Sequence, residues 1–268
     1  MDVFGKPEQW WIEKSNKWIA GSMVSDVIET IKKYNKKEYR VIVNSINSVS
    51  NDNTAIANVK KNYIELMKEI SKNKCNAGIT VRTSNLGIAY SYNGAKKALQ
   101  EVLEASKKLK VPVEIDIEER EFVDNTVKIA AEMLEQGHCF RMCMQSALKN
   151  ARKNIDLLLK ASKKGKTSVT FRIVTGSCYP ETKELNEENT VKQFYELMVL
   201  QKGSAIGSHI LDRVLYANKN KIEAQVLMGF ENTAAGRLAN TLYAPFGDWR
   251  TNEGTRGYIQ RREGIQSS

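Results

Sequence analysis

Two arginines, Arg82 and Arg172, stand inside short runs that are otherwise apolar and β-forming, Ile79-Thr80-Val81-Arg82 and Phe171-Arg172-Ile173-Val174. A strand interior rarely tolerates an uncompensated guanidinium, because burying that charge costs several kcal/mol unless an anion or a hydrogen-bond acceptor meets it. Something negative therefore faces each of them. It is either a salt bridge to Asp116 or Glu118 or a bound anionic ligand, and the residues alone weigh the two equally. Near the other end of the chain, Tyr258, Arg261 and Arg262 fall within one turn if that segment is helical. An arginine fork grips a carboxylate through two parallel hydrogen bonds and keeps its charge at any working pH. Taken alone, two adjacent arginines read more simply as a solvated pair.

The remaining reactive residue types exclude some chemistry. Cys75, Cys139, Cys143 and Cys178 form no CxxC pair, and the two histidines, His138 and His209, are far apart in sequence, so no local metal motif is expected. Cys139 and Cys143 bracket an apolar run and read as small buried hydrophobes. The net charge of +10 suits nucleic acid, anionic lipid, or an anionic cofactor and substrate. Many lysines, however, come in pairs on helical stretches, such as Lys32-Lys33 and Lys163-Lys164, as on solvated helix faces. No basic motif interleaved with aromatics accompanies them, so nucleic acid is not expected as a partner.

Short β-branched runs alternate with longer segments of helical spacing, the pattern of a parallel sheet covered by helices. Eight strands are expected: Arg40 to Asn44, Gly78 to Thr83, Val113 to Ile117, Phe140 to Met144, Val169 to Val174, Ala205 to Ser208, Glu223 to Met228 and, least clearly, Asn240 to Tyr243. Between them, Ile56, Val59, Tyr63, Leu66 and Ile70, and later Leu148, Ala151, Ile155 and Leu158, recur at three and four and define buried helix stripes. A helix from Ser22 to Tyr34 leads into the first strand. Trp10, Trp11 and Trp18 ahead of it pack an N-terminal cap onto the barrel or onto a partner. With 268 residues, 41% of them hydrophobic, the chain matches a (β/α)8 TIM-like barrel of about 250 residues with a short N-terminal helical cap. We expect one domain over 1–268, with 1–38 as the helical segment and 39–268 as the barrel and last helix. An open doubly wound sheet is the rival, but Ser45-Ile46-Asn47-Ser48 stands where its Gly-rich turn would be. No run reaches the roughly 20 apolar residues of a membrane span, and Met1 to Lys6 lack a signal-peptide core. The expected location is cytoplasmic.

Functional groups of such a barrel gather at the C-terminal strand ends, which here carry Asn44, Arg82, Asp116 with Glu118 and Glu119, Gln145, Arg172 with Cys178, His209, Gln225 and Tyr243. In order along the chain, these strands resemble the proline dehydrogenase family in its short single-domain form. Trp18 to Gly21 is similar to the family's YIAG, Ile79 to Gly87 to SVKLTQLG, Val113 to Glu119 to VRIDMED, and Gln145-Ser146 to QAY. Phe171 to Ser177 resembles the R-L-V-K-G-A run, Gly207-Ser208-His209 resembles ATH, and Glu223 to Gly229 resembles EFQMLYG. Leu242 to Gly247 is similar to VYVPFG, and Tyr258 to Arg262 to YxxRR. The chain departs from the pattern at Arg82 and Thr175, where the family has lysines, at Cys178 in place of a tyrosine, at Ile210 in place of Asn or Asp, and at Ile265 in place of a glutamate. Glu263, directly after the arginine pair, is left open as a substitute for that last carboxylate.

The resemblance implies oxidation of proline, or a closely related cyclic amino acid, to the pyrroline carboxylate, by hydride transfer to N5 of FAD, with FMN as the alternative. Electrons would pass to a quinone or another acceptor, which adds a peripheral contact at the inner membrane face as an option. It implies catalytic roles for Arg172, Asp116 and Arg82. Substrate contacts would come from Arg261, Arg262, Tyr243, Tyr258, Arg82 and Cys178, and cofactor contacts from Gln145, Arg172, Val174, Gly176, Ser177, Ser208, His209 and Gln225, with no metal. The departures keep a second reading open, a catalytically altered barrel that acts on a modified substrate or serves as a binding or regulatory module.

Overall fold

The computed structural model describes residues 6–46, 50–117, 119–176 and 183–264. Eight parallel strands close on themselves in sequence order. They are β1 (Arg40–Ser45), β2 (Ala77–Arg82), β3 (Val113–Asp116), β4 (Phe140–Gln145), β5 (Val169–Val174), β6 (Ala205–Gly207), β7 (Glu223–Leu227) and β8 (Thr241–Phe246). The seam is the pairing of β1 with β8, from Arg40 opposite Thr241 to Ser45 opposite Phe246. All eight expected strands exist, with ends displaced by a few residues at most. The eighth extends furthest beyond its expected end. It passes through Pro245, which β8 admits because pairing with β7 has already stopped at Leu227 opposite Tyr243, so the missing N–H interrupts no ladder on that side.

The helices are α1 (Glu8–Trp18), α2 (Val24–Asn35), α3 (Asn53–Lys72), α4 (Tyr92–Leu109), α5 (Arg120–Glu135), α6 (Ala151–Gly165), α7 (Glu187–Met198), α8 (Leu211–Lys219), α9 (Ala234–Leu238) and α10 (Glu253–Arg262). Several begin where a side chain caps the backbone: Asp52 accepts from the Ala55 amide, Ser91 from Gly94, and Asn252 from Thr255. The stripe read from sequence on α3, Ile56 to Ile70, is buried throughout. The helix expected from Ser22 runs from Val24, because Asp26 bonds back to the amides of Ser22 and Met23 and holds them outside the first turn.

Barrel strands buried on both faces put alternate residues inward, and the inward positions fix the site. On β3 these are Glu114 and Asp116, on β4 Arg141, Cys143 and Gln145, and on β5 Arg172 and Val174. The tryptophans pack inside the chain. Trp11 stacks on Trp249 with centroids 5.7 Å apart, and Trp18 lies 5.3 Å from Phe230. With Ile19, Ile46, Tyr258 and Ile259 they form a second core, which clamps α1 to α10. Among the described residues no helix is long and apolar enough to cross a membrane.

Candidate active site

One cavity of about 190 Å³ opens at the C-terminal ends of the strands. Every residue given a catalytic or binding role from sequence lines it, except Ser177 and Cys178, which lie outside the described residues; of the other strand-end candidates, Glu118 also lies outside them and Glu119 does not border the cavity. The order of the strands divides the lining in two. On one side β8, β1, β2 and β3, with α10, bring Tyr243, Asn44, Arg82, Asp116, Tyr258, Arg261 and Arg262. On the other, β4 to β7 bring Gln145, Arg172, Val174, Gly176, Ser208, His209 and Gln225.

Arg172 is buried at the centre of this floor. Its Nε donates to Glu114 Oε2 at 2.9 Å and its Nη2 to Asp116 Oδ1 at 2.8 Å, so two inward carboxylates of β3 grip one guanidinium. The Tyr243 hydroxyl donates to the other oxygen of Asp116 at 3.0 Å, the Tyr243 ring lies under the guanidinium at 4.8 Å, and Arg82 Nε stands 3.8 Å from Asp116 Oδ2. Of the two origins expected for the negative charge, the salt bridge is therefore present, and one of its partners was not anticipated. For Arg172 the charge comes from Glu114 and Asp116 within the barrel rather than from a ligand alone. Because the cavity also reaches both arginines, the ion pairs and a ligand can share them.

These contacts set protonation. Burial by itself raises the Asp116 carboxyl, but Arg172 and then Arg82, with hydrogen bonds from Cys143 and Tyr243, hold it below the usual carboxylate range. Burial works against the charge on Arg172, yet the acidic groups around it keep it cationic well beyond any working pH. His209 is pushed down by burial and by the charges of Arg262 and Arg213, so its ring, stacked on Phe230 with centroids 4.4 Å apart, is neutral.

The arginine pair sits differently. Among the described residues neither Arg261 nor Arg262 forms an ion pair, Arg262 lies over the Tyr258 ring at 5.0 Å, and its buried Nε meets no hydrogen-bond partner. Glu263 does not serve them. It accepts from Trp18 Nε1 at 2.7 Å and from Lys14 at 3.3 Å, tying the end of α10 to α1.

Three residues escaped the sequence reading. Glu114 sits two positions before Asp116 on the same face of β3, a relation that strand alternation could have revealed. Cys143, read as a small buried hydrophobe, is indeed buried, but it borders the cavity beside Asp116 and Arg172, and burial pushes its thiol up. Asn44, noted only as a strand end, is 1% exposed and lines the cavity with both amide atoms unbonded among the described residues.

A family model described as proline dehydrogenase matches residues 27–194. Two relatives from Bacillus subtilis (strain 168), proline dehydrogenase 1 and proline dehydrogenase 2, are 20% identical over 257 residues and 22% identical over 271 residues. The first alignment covers 88% of this chain and 83% of the relative, the second 92% and 85%. Among solved structures, proline utilization A (PutA) from Bdellovibrio bacteriovorus, inactivated by N-propargylglycine, superposes with a TM-score of 0.81 at 17% identity. A mutant of PutA from Bradyrhizobium japonicum gives 0.76, also at 17% identity. Each match covers 95% of this chain but only 33% and 31% of the PutA chains, so the chain spans about a third of their length and the likeness is one of fold.

Proposed function

The chain belongs to the proline dehydrogenase family, and on that premise we propose that it oxidises proline, or a closely related cyclic amino acid, to the corresponding pyrroline carboxylate with FAD as its flavin. Membership makes it an oxidoreductase acting on a CH–NH donor. A bound flavin would supply at N5 the acceptor for the hydride that leaves the carbon beside the ring nitrogen, with a quinone or another acceptor as the onward electron acceptor. The observation that carries the reading is the convergence of Arg82, Asp116, Arg172, Tyr243 and the Arg261–Arg262 pair, from four strands and the last helix, on one cavity.

The lining suits a polar-edged aromatic group and an anion. Gln225 Oε1 and Arg262 Nε are buried at the cavity and have no partner among the described residues, which leaves an acceptor and a donor for a ligand. Gly207 keeps the floor open where a Cβ would come within 2.8 Å of Val174. In this reading Arg172 would stand beside the flavin and stabilise negative charge on the reduced ring. Gln145, Gln225, Val174, Gly176, Ser208 and the neutral His209 border the cofactor, and Ser177 and Cys178 keep the roles implied by resemblance. Arg261 and Arg262, helped by Arg82, clamp the substrate carboxylate, and Tyr243 and Tyr258 pack on its ring. Asp116, held ionised, anchors Arg172 and orients Tyr243; it does not deliver a proton at neutral pH. Reconstitution tests this: purified protein mixed with FAD retains a yellow chromophore through gel filtration, with FMN as the weaker ligand. Protein that retains neither refutes the proposal.

A second reading has its own support. Asn44, in the half of the cavity assigned to substrate, offers a donor and an acceptor with no partner among the described residues. A hydroxyl on the substrate ring would satisfy both, whereas an unsubstituted ring leaves them costing about 1–3 kcal/mol. A larger kcat/KM for hydroxylated proline than for proline selects this reading; the reverse order eliminates it.

A further inference from the structure

Glu114 is 1% exposed and does not itself border the cavity, yet it touches two residues that do. Its Oε2 accepts from Arg172 Nε at 2.9 Å, and its Oε1 accepts from Gln225 Nε2 at 2.7 Å and from Arg141 Nη1 at 3.0 Å. The first bond orients the guanidinium. The second commits the amide end of Gln225 to the floor, which turns its carbonyl oxygen, otherwise without a partner among the described residues, toward the cavity. Behind Glu114 the charges continue to alternate. Arg141 grips both oxygens of Glu223 at 2.9 Å, and Arg40 stands 3.7 Å from Glu223 at the opposite face of the barrel. Glu114 is thus braced from below by Arg141.

We propose that Glu114 is a positioning residue: it holds Arg172 and Gln225 in register under the flavin of the function proposed above, on which this inference rests, and sets how much of the Arg172 charge the flavin meets. Two substitutions then act with opposite sign. Glu114→Gln keeps the size of the side chain and removes the carboxylate charge, so the field of Arg172 in the cavity grows and the reduced, electron-rich ring is favoured. Arg141→Gln removes the cation that competes for Glu114, so Glu114 neutralises Arg172 more completely and the oxidised ring is favoured. A merely structural brace predicts that both variants lose melting temperature and bind flavin less tightly, with no opposed change in potential.

The experiment measures the midpoint potential of bound FAD in wild type, Glu114→Gln and Arg141→Gln by equilibration with a reference dye. We expect the Glu114→Gln equilibrium to move toward reduction by about tenfold, ~30 mV upward for a two-electron couple, and the Arg141→Gln equilibrium to move by several-fold the other way. Shifts of the same sign, or none, overturn the proposal. If Glu114→Gln does not fold, Arg141→Gln decides alone, and an unchanged or raised potential overturns it. A measurement without flavin separates this claim from the functional reading. In protein labelled with nitrogen-15 arginine, the Nε–H resonance that disappears in Arg172→Lys is protected from exchange in wild type and exchanges at least tenfold faster in Glu114→Gln. If wild type binds no flavin, the functional proposal fails while this resonance still tests the positioning; an unchanged exchange rate refutes it.

Discussion

Replacing Asp116 by Asn removes one charge from the floor of the cavity and leaves the shape nearly intact. In wild type its two oxygens receive Arg172 Nη2 at 2.8 Å and the Tyr243 hydroxyl at 3.0 Å, with Arg82 Nε at 3.8 Å. Removing one member of a buried pair typically costs about 3–5 kcal/mol, because the remaining charge is left uncompensated. Here Arg172 keeps Glu114, and Tyr243 can still donate to the asparagine carbonyl, so the lower part of that range applies, about 3 kcal/mol at neutral pH. The sign with pH follows from the direction of the shift. The folded-state carboxyl is depressed, so its contribution is fully present above the unfolded value of about 4 and is lost as pH falls through the lower folded value. Urea unfolding of Asp116→Asn against wild type should therefore show a gap of about 3 kcal/mol at pH 7 that narrows steadily below about pH 4. A gap under about 0.5 kcal/mol at pH 7, the range of ordinary surface changes, or one that does not change with pH, would refute the claim that Asp116 is ionised and paired.

Three further outcomes follow from the same geometry. Arg261→Met and Arg262→Met should each raise the substrate KM by at least about tenfold, the loss of a charged hydrogen bond, with flavin still bound; loss of flavin instead would show that the pair serves the cofactor. Glu263→Ala should release the end of α10 from Trp18 and Lys14 and raise KM a few-fold at unchanged kcat, read by steady-state kinetics beside a flavin titration. Gly229→Ala places a Cβ within 2.4 Å of the Trp18 ring at a backbone φ of +93°, so chemical unfolding should report a loss of about 2–4 kcal/mol, and an unaffected protein would mean that Trp18 is not held in place.

The barrel was legible because its signals are local and repeated. Each strand is a short β-branched run and each helix carries a stripe such as Ile56 to Ile70, so neither needs a distant residue to be recognised. The site was legible in part. Arg172 was conspicuous as a charge in an apolar run, and Arg261 and Arg262 as a pair. What sequence hid was who meets whom. Glu114 reaches Arg172 and Gln225, 58 and 111 residues away, and only barrel closure makes them neighbours. Glu263, left open as a substitute for the family's glutamate after the arginine pair, turns its carboxylate to the indole of Trp18, 245 residues earlier. Which of two plausible acceptors meets a buried arginine depends on strand register, and register is not written in any one strand.

We propose that this cavity removes a hydride from a cyclic amino acid. The most direct test is anaerobic addition of proline to the FAD-reconstituted protein while the flavin absorbance is followed. The account predicts that the blue band bleaches in wild type and that the same addition leaves Arg172→Met, with equal flavin loading, bleaching far more slowly. Wild-type flavin that remains fully oxidised with proline and with hydroxylated proline alike would contradict it.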